Sequence, residues 1–143
     1  MIKQTLKFAF LALTVSLLTF SCSKDDNTPQ GANLIEGKWN VTSLIEDGDE
    51  LMQDDISLFT MEFTPNSNTE GFFFFEQKEF GTSSSMFFSG EYTLIGGNEI
   101  TLSSANSEFG VVTVSYSFAG ENQLTVQGII DGEDMYIRAF RMQ

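Results

Sequence analysis

The side chains able to do chemistry are few, and the missing ones decide most. The chain has 143 residues, no histidine, one cysteine, and 20 Asp+Glu against 7 Lys+Arg, for a net charge of −13. Without imidazole there is no common general base, no Ser–His or Cys–His pair, and none of the commonest metal ligand. A single Cys22 makes neither an internal disulfide nor a zinc or iron–sulfur cluster. Paired carboxylates can hydrolyse glycosides, but among so many acids no spacing selects a pair. The expectation is a non-enzymatic protein with no catalytic residue and no cofactor. The acidic stretch Glu46-Asp47-Gly48-Asp49-Glu50, with Asp54 and Asp55, lacks the twelve-residue spacing of an EF-hand. It reads as a solvated loop, and Asp131-Gly132-Glu133-Asp134 as a turn, so no metal site is expected. The charge also argues against nucleic acid as a partner.

Two other spacings suggest recognition. Tyr136, Arg138 and Phe140 share one face of the last apolar segment, and Met135, Ile137 and Ala139 share the other. With the Tyr136 face turned inward, an Arg–Tyr pair would hold a ligand carboxylate. With Met135 and Ile137 inward, Arg138 is solvated. The run Phe72-Phe73-Phe74-Phe75 puts two rings on each face of a strand. One face can line a core. The other lies beneath the 46–56 segment or the 78–86 loop, or it meets a protein partner or lipid.

Ahead of these lies an address. Lys3 and Lys7 precede an apolar run from Phe8 to Phe20. That run is shorter than the roughly 20 residues a spanning helix needs, and it reads as a secretory signal. The polar stretch from Ser23 to Asn33 reads as a flexible tether. Removal of residues 1–21 leaves 5 basic and 20 acidic residues, a net −15, which repels anionic membranes. Attachment then depends on lipid rather than on a basic patch.

From Gly37 onward the apolar residues recur with a period of two. Trp39, Val41 and Ile45 share a face; Phe59, Met61 and Phe63 alternate with Leu58, Thr60 and Glu62. The same holds for Phe88, Tyr92 and Leu94; for Ile100 and Leu102; for Val112, Val114, Tyr116 and Phe118; and for Leu124, Val126 and Ile130. This pattern predicts strands with one dry face and one wet face. Turn formers at 65–68, 96–98, 120–122 and 131–134 separate them. Links this short make neighbouring strands antiparallel. The expected fold is all-β: about eight strands in an up-and-down meander closed into a barrel. The window from Glu46 to Ile56 is read as one helical turn or a loop.

Leu18-Thr19-Phe20-Ser21-Cys22 resembles a loose bacterial lipobox of the Bacteroidota type. The resemblance implies an acylated Cys22 and anchorage to the outer membrane of the cell envelope, with the leaflet left open. Ser23-Lys24-Asp25-Asp26 resembles a signal for export to the cell surface. Gly37-Lys38-Trp39, Met61-Glu62-Phe63-Thr64, Gly90-Glu91-Tyr92 and Phe140-Arg141 together resemble small bacterial lipocalin-like lipoproteins. That implies residues 1–21 as signal peptide, 22–33 as tether and 34–143 as a lipocalin-like barrel. It also implies that Arg141, or alternatively Arg138, closes one barrel end over Trp39. The expected lining is Trp39, Val41, Phe63, Phe88, Tyr92, Val114, Tyr116 and Val126, with Tyr136 and Arg138 if their face points inward. A small hydrophobic or amphipathic ligand is expected there. The alternative is a side-chain-filled barrel that works through protein partners.

Overall fold

The computed structural model describes residues 32–105 and 110–143. The expected signal peptide, Cys22 and most of the expected tether lie outside the described residues. The last two tether positions, Ala32 and Asn33, belong instead to a short helix, α1 (Ala32–Ile35).

Among the described residues nine strands follow: β1 (Gly37–Glu46), β2 (Asp49–Glu50), β3 (Ile56–Pro65), β4 (Glu70–Glu79), β5 (Met86–Ile95), β6 (Glu99–Ser103), β7 (Val111–Ala119), β8 (Gln123–Ile130) and β9 (Glu133–Arg141). From β3 to β9 each strand pairs antiparallel with the next, β1 pairs with β3, and β9 returns to pair with β1. Eight strands thus close an antiparallel barrel, and the two-residue β2 extends β1 as a small hairpin. Closure removes the exposed edges that an open meander would present.

The region from Glu46 to Ile56 begins as a hairpin between β1 and β2 and ends in a single turn, where the Asp55 N–H donates to Leu51 O at 3.0 Å. Asp47 and Gly48 both take positive φ, as a two-residue hairpin turn requires. Asp131 and Gly132 do the same between β8 and β9. The two turns are tied together: the Asp47 N–H donates to Asp134 O at 2.9 Å, and the Asp134 N–H to Asp47 Oδ1 at 2.8 Å. They mark one pole of the barrel, here the hairpin pole. The start of β1, the end of β9 and α1 mark the other, the capped pole.

Alternation places the core as expected on most strands. Phe63, Tyr92, Leu94, Ile100, Val114, Tyr116 and Leu124 are all buried. Burying a side chain of Leu or Phe size contributes about 1.5–3 kcal/mol. The parity changes in β1, and also in β3, where the register against β4 shifts between Ile56 and Leu58 and both Ile56 and Phe59 are buried. The register against β9 shifts between Val41 and Ser43, a β-bulge that accommodates Thr42. Beyond it Leu44, not Ile45, points into the barrel: Leu44 is buried and Ile45 is half-buried opposite Tyr136. The expected placement of Ile45 beside Trp39 and Val41 is therefore wrong by one residue.

At the capped pole the last strand holds the first. The Arg141 guanidinium lies 4.3 Å from the centre of the Trp39 ring. Its N–H groups donate to the carbonyls of Leu34, Glu36 and Glu121. Trp39 Nε1 donates to Ile35 O at 2.8 Å. Gly37 permits this arrangement. Its φ of +110° strains other residues, and a Cβ there would lie 3.0 Å from Arg141 Nη1.

Candidate ligand cavity

Strand side chains and Ile35 of α1 line a partly open chamber of about 150 Å³ in the hairpin-pole half of the barrel. Ile35, carried in by α1, contributes to its lining from the capped side. Leu44, Phe59, Met61, Phe63, Phe75, Phe88, Ile100, Leu102, Val112, Val114, Val126, Ile130, Met135 and Ile137 supply the rest of the apolar wall, and Gln77 is the one polar residue in it. Edge-to-face contacts fix the rings: Phe63 meets Phe75 at 5.7 Å and Tyr92 at 5.6 Å, and Phe59 meets Phe75 at 6.1 Å.

Of the residues expected to line a pocket, Phe63, Phe88, Val114 and Val126 do so. Trp39, Val41, Tyr92 and Tyr116 are buried, but they pack outside the chamber wall. Burial raises the phenol pKa of Tyr92, helped by the charge of Glu36, and burial alone raises that of Tyr116.

Tyr136 and Arg138 are not in the barrel. Met135, Ile137 and Ala139 form the inward row of β9: Ile137 and Ala139 are buried, and Ala139 pairs with the buried Val41 and Leu124. Arg138 lies on the outer surface with its guanidinium 5.9 Å from the Tyr136 ring. Its charge acts on Glu50 instead. Partial burial pushes the Glu50 carboxyl up, but hydrogen bonds from Ser43 Oγ, Leu44 N–H and Met52 N–H, with the charge of Arg138, hold it below its ordinary value. The carboxylate-binding role of Arg138 is thereby removed.

The four consecutive phenylalanines divide by parity. Phe73 and Phe75 are buried, so they are unavailable to a partner; Phe72 is 50% and Phe74 42% exposed. Neither the 46–56 segment nor the 78–86 loop covers them. Phe74 stacks on Phe87 of β5, which is itself 60% exposed. The three form an aromatic patch on the outer wall.

Several lining residues are not among those expected to line a pocket. Leu44 was hidden by the bulge, and Ile35 by the absence of any helical signal in four residues. Met61, Ile100, Leu102 and Val112 were signalled by alternation alone. Gln77 carried no signal.

Gln77 also borders a second, more open depression at the hairpin pole, which includes Glu46, Asp54, Asp55, Glu79 and Phe80 in its wall. Here Glu46 is hydrogen-bonded to Glu133, and that bond, desolvation and the neighbouring charges of Glu133 and Asp47 raise its carboxyl pKa. Among the described residues no group of three or more His, Cys, Asp or Glu is placed to hold a metal ion. Nor is any helix among them long and apolar enough to cross a membrane.

The fold and its interior define a closed eight-stranded antiparallel β-barrel with an apolar chamber. Among solved structures it is similar to a redesigned β-barrel (TM-score 0.63, 16% identity, covering 82% of this chain and 99% of that one). It is also similar to a redesigned barrel bound to DFHBI (TM-score 0.57, 17% identity, 78% and 98%). A third is a de novo fluorescence-activating β-barrel (TM-score 0.56, 17% identity, 79% and 97%). At these identities the likeness establishes the fold alone. No protein-family profile matches the sequence, and no curated protein does.

Proposed function

We propose that this protein is a lipid-anchored, lipocalin-like component of the cell envelope whose barrel takes up a small apolar or amphipathic molecule without altering it chemically. The observation that carries this reading is the chamber of about 150 Å³, walled by apolar side chains apart from Gln77. A dry apolar cavity of about that size accommodates a guest such as benzene, whereas drug-sized ligands occupy roughly 300 Å³ or more. The guest is therefore of single-ring size, and a long acyl chain exceeds the space. The DFHBI-bound barrel supports the reading as a precedent for a ligand in this fold. Titration calorimetry of the full-length protein in nanodiscs of neutral lipid, with empty nanodiscs as control, tests it. Saturable 1:1 binding of ethylbenzene is expected; heat indistinguishable from the control overturns the reading.

The anchor rests on Cys22 in its lipobox-like setting. Acylation at more than one position gives stable attachment, since each buried CH₂ contributes about 0.8 kcal/mol and a single chain is marginal. Cell fractionation of the parent and Cys22→Ser tests this. Transfer of the variant from the membrane to the soluble fraction is expected, and identical partition overturns it. A second reading, an accessory lipoprotein working through protein partners, draws on the exposed rings of Phe72, Phe74 and Phe87.

A further inference from the structure

The chamber and the neighbouring depression share Gln77, and their walls differ in kind. On one side of Gln77 the lining is apolar throughout. On the other side stand four carboxylates, those of Glu46, Asp54, Asp55 and Glu79, with no lysine or arginine among the lining residues. The two walls are also linked through the strands: Glu46, in the acidic wall, pairs with Met135, in the apolar one. The acids are not grouped for a metal ion. Phe80, in the same wall and 53% exposed, offers an aromatic face. Arg138 is not among the lining residues and lies beside Tyr136, where its charge acts on Glu50; Lys78, between Gln77 and Glu79 in the chain, is not a lining residue either.

We infer that chamber and depression form one bipartite site for a small aryl-alkyl cation, with its ring in the chamber and its ammonium group past Gln77 among the carboxylates. The inference rests on the ligand-binding reading above and narrows its ligand class. The apolar ring gains burial. The ammonium keeps water and gains both the carboxylate field and the Phe80 face. A carboxylate on the same ring would meet four like charges instead, so the site excludes fatty-acid-type head groups.

The test compares three ligands of one size on the full-length protein in neutral-lipid nanodiscs at pH 7: phenethylamine, ethylbenzene and 3-phenylpropionate. The expected order is amine, then hydrocarbon, then acid, with the amine about tenfold tighter than the acid in low salt. That preference shrinks towards parity at about 1 M salt, where screening extends to roughly 3 Å. The double variant Asp55→Asn/Glu79→Gln lowers the amine-to-acid affinity ratio by about threefold. Acid binding as tight as amine binding, or a preference insensitive to salt, overturns the inference. Ethylbenzene binding without any charge preference overturns this inference alone. No binding of any of the three overturns the underlying reading as well.

Discussion

The carboxylate of Glu50 accepts the backbone N–H of Leu44 at 2.9 Å, six residues back along the chain. The same group accepts from Ser43 Oγ at 2.6 Å and Met52 N–H at 3.1 Å. Glu50 therefore satisfies backbone donors next to the bulge, the irregularity that turns Leu44 into the chamber. A side chain on a two-residue strand outside the barrel thus helps shape its interior.

Replacing Glu50 by Gln should lower stability at neutral pH by about 1 kcal/mol, the scale of one or two charge-assisted hydrogen bonds at a solvent-exposed position. The folded pKa of Glu50 is depressed from its ordinary 4.5. Its contribution is therefore present above that value and lost as pH falls through the lower folded value. Thermal unfolding of both proteins at pH 7 and pH 3 checks this: a gap at pH 7 should narrow on acidification.

Glu46 has the opposite sign. Its raised pKa means that the folded protein holds this proton more tightly than the unfolded chain does. That favours the fold at acid pH and is lost as pH rises through the raised value. Glu133→Gln removes the neighbouring acid and should stabilise the protein at pH 7 by a few tenths of a kcal/mol, a screened surface effect. Denaturant midpoints in low and high salt should show the gain only in low salt.

Arg141→Ala should cost about 2–3 kcal/mol, through a lost cation–π contact and lost hydrogen bonds to three carbonyls. Trp39 is the one tryptophan in the chain, so its fluorescence reports on the capped pole directly. A red-shifted emission from the folded variant is expected, and unchanged emission would show that Arg141 does not seal the ring.

Leu102→Phe places a larger ring in the chamber wall. Binding of ethylbenzene should fall by about tenfold or more, while the overpacking cost stays within roughly 1–3 kcal/mol. Calorimetric titration alongside an unfolding curve separates the two effects.

The outer rings of Phe74 and Phe87 can be replaced together by Ser. Because both already face solvent, stability should change by about 1 kcal/mol or less, and any concentration-dependent self-association should diminish. Sedimentation velocity on parent and variant measures this; the second, partner-binding reading loses its support if capture of a genuine partner survives the change.

The barrel was legible because alternation is a local signal. In β7, Val112, Val114, Tyr116 and Phe118 face inward as their spacing demands. The Trp39–Arg141 contact has no such signal within either segment, since 102 residues separate them; only the resemblance of Gly37-Lys38-Trp39 and Phe140-Arg141 suggested it. Two things were not legible. A bulge changes the face of every residue after it, and nothing in Val41-Thr42-Ser43-Leu44 announces one, so Leu44 was missed and Ile45 misplaced. The last strand had two apolar-compatible faces, Tyr136-Phe140 and Met135-Ile137-Ala139. The choice between them depends on register with β1 and β8, where Ala139 meets the buried Val41 and Leu124, and that register is not written in the last segment. The four-phenylalanine run had the same weakness: its parity was plain, but what covered its outer rings was not.

The first described residue, Ala32, and the clamp made by Arg141 lie at the same pole, while the shared wall at Gln77 lies near the opposite one. With the anchor proposed at Cys22, attachment would fall at the capped pole, and the shared wall at Gln77 would face away from it.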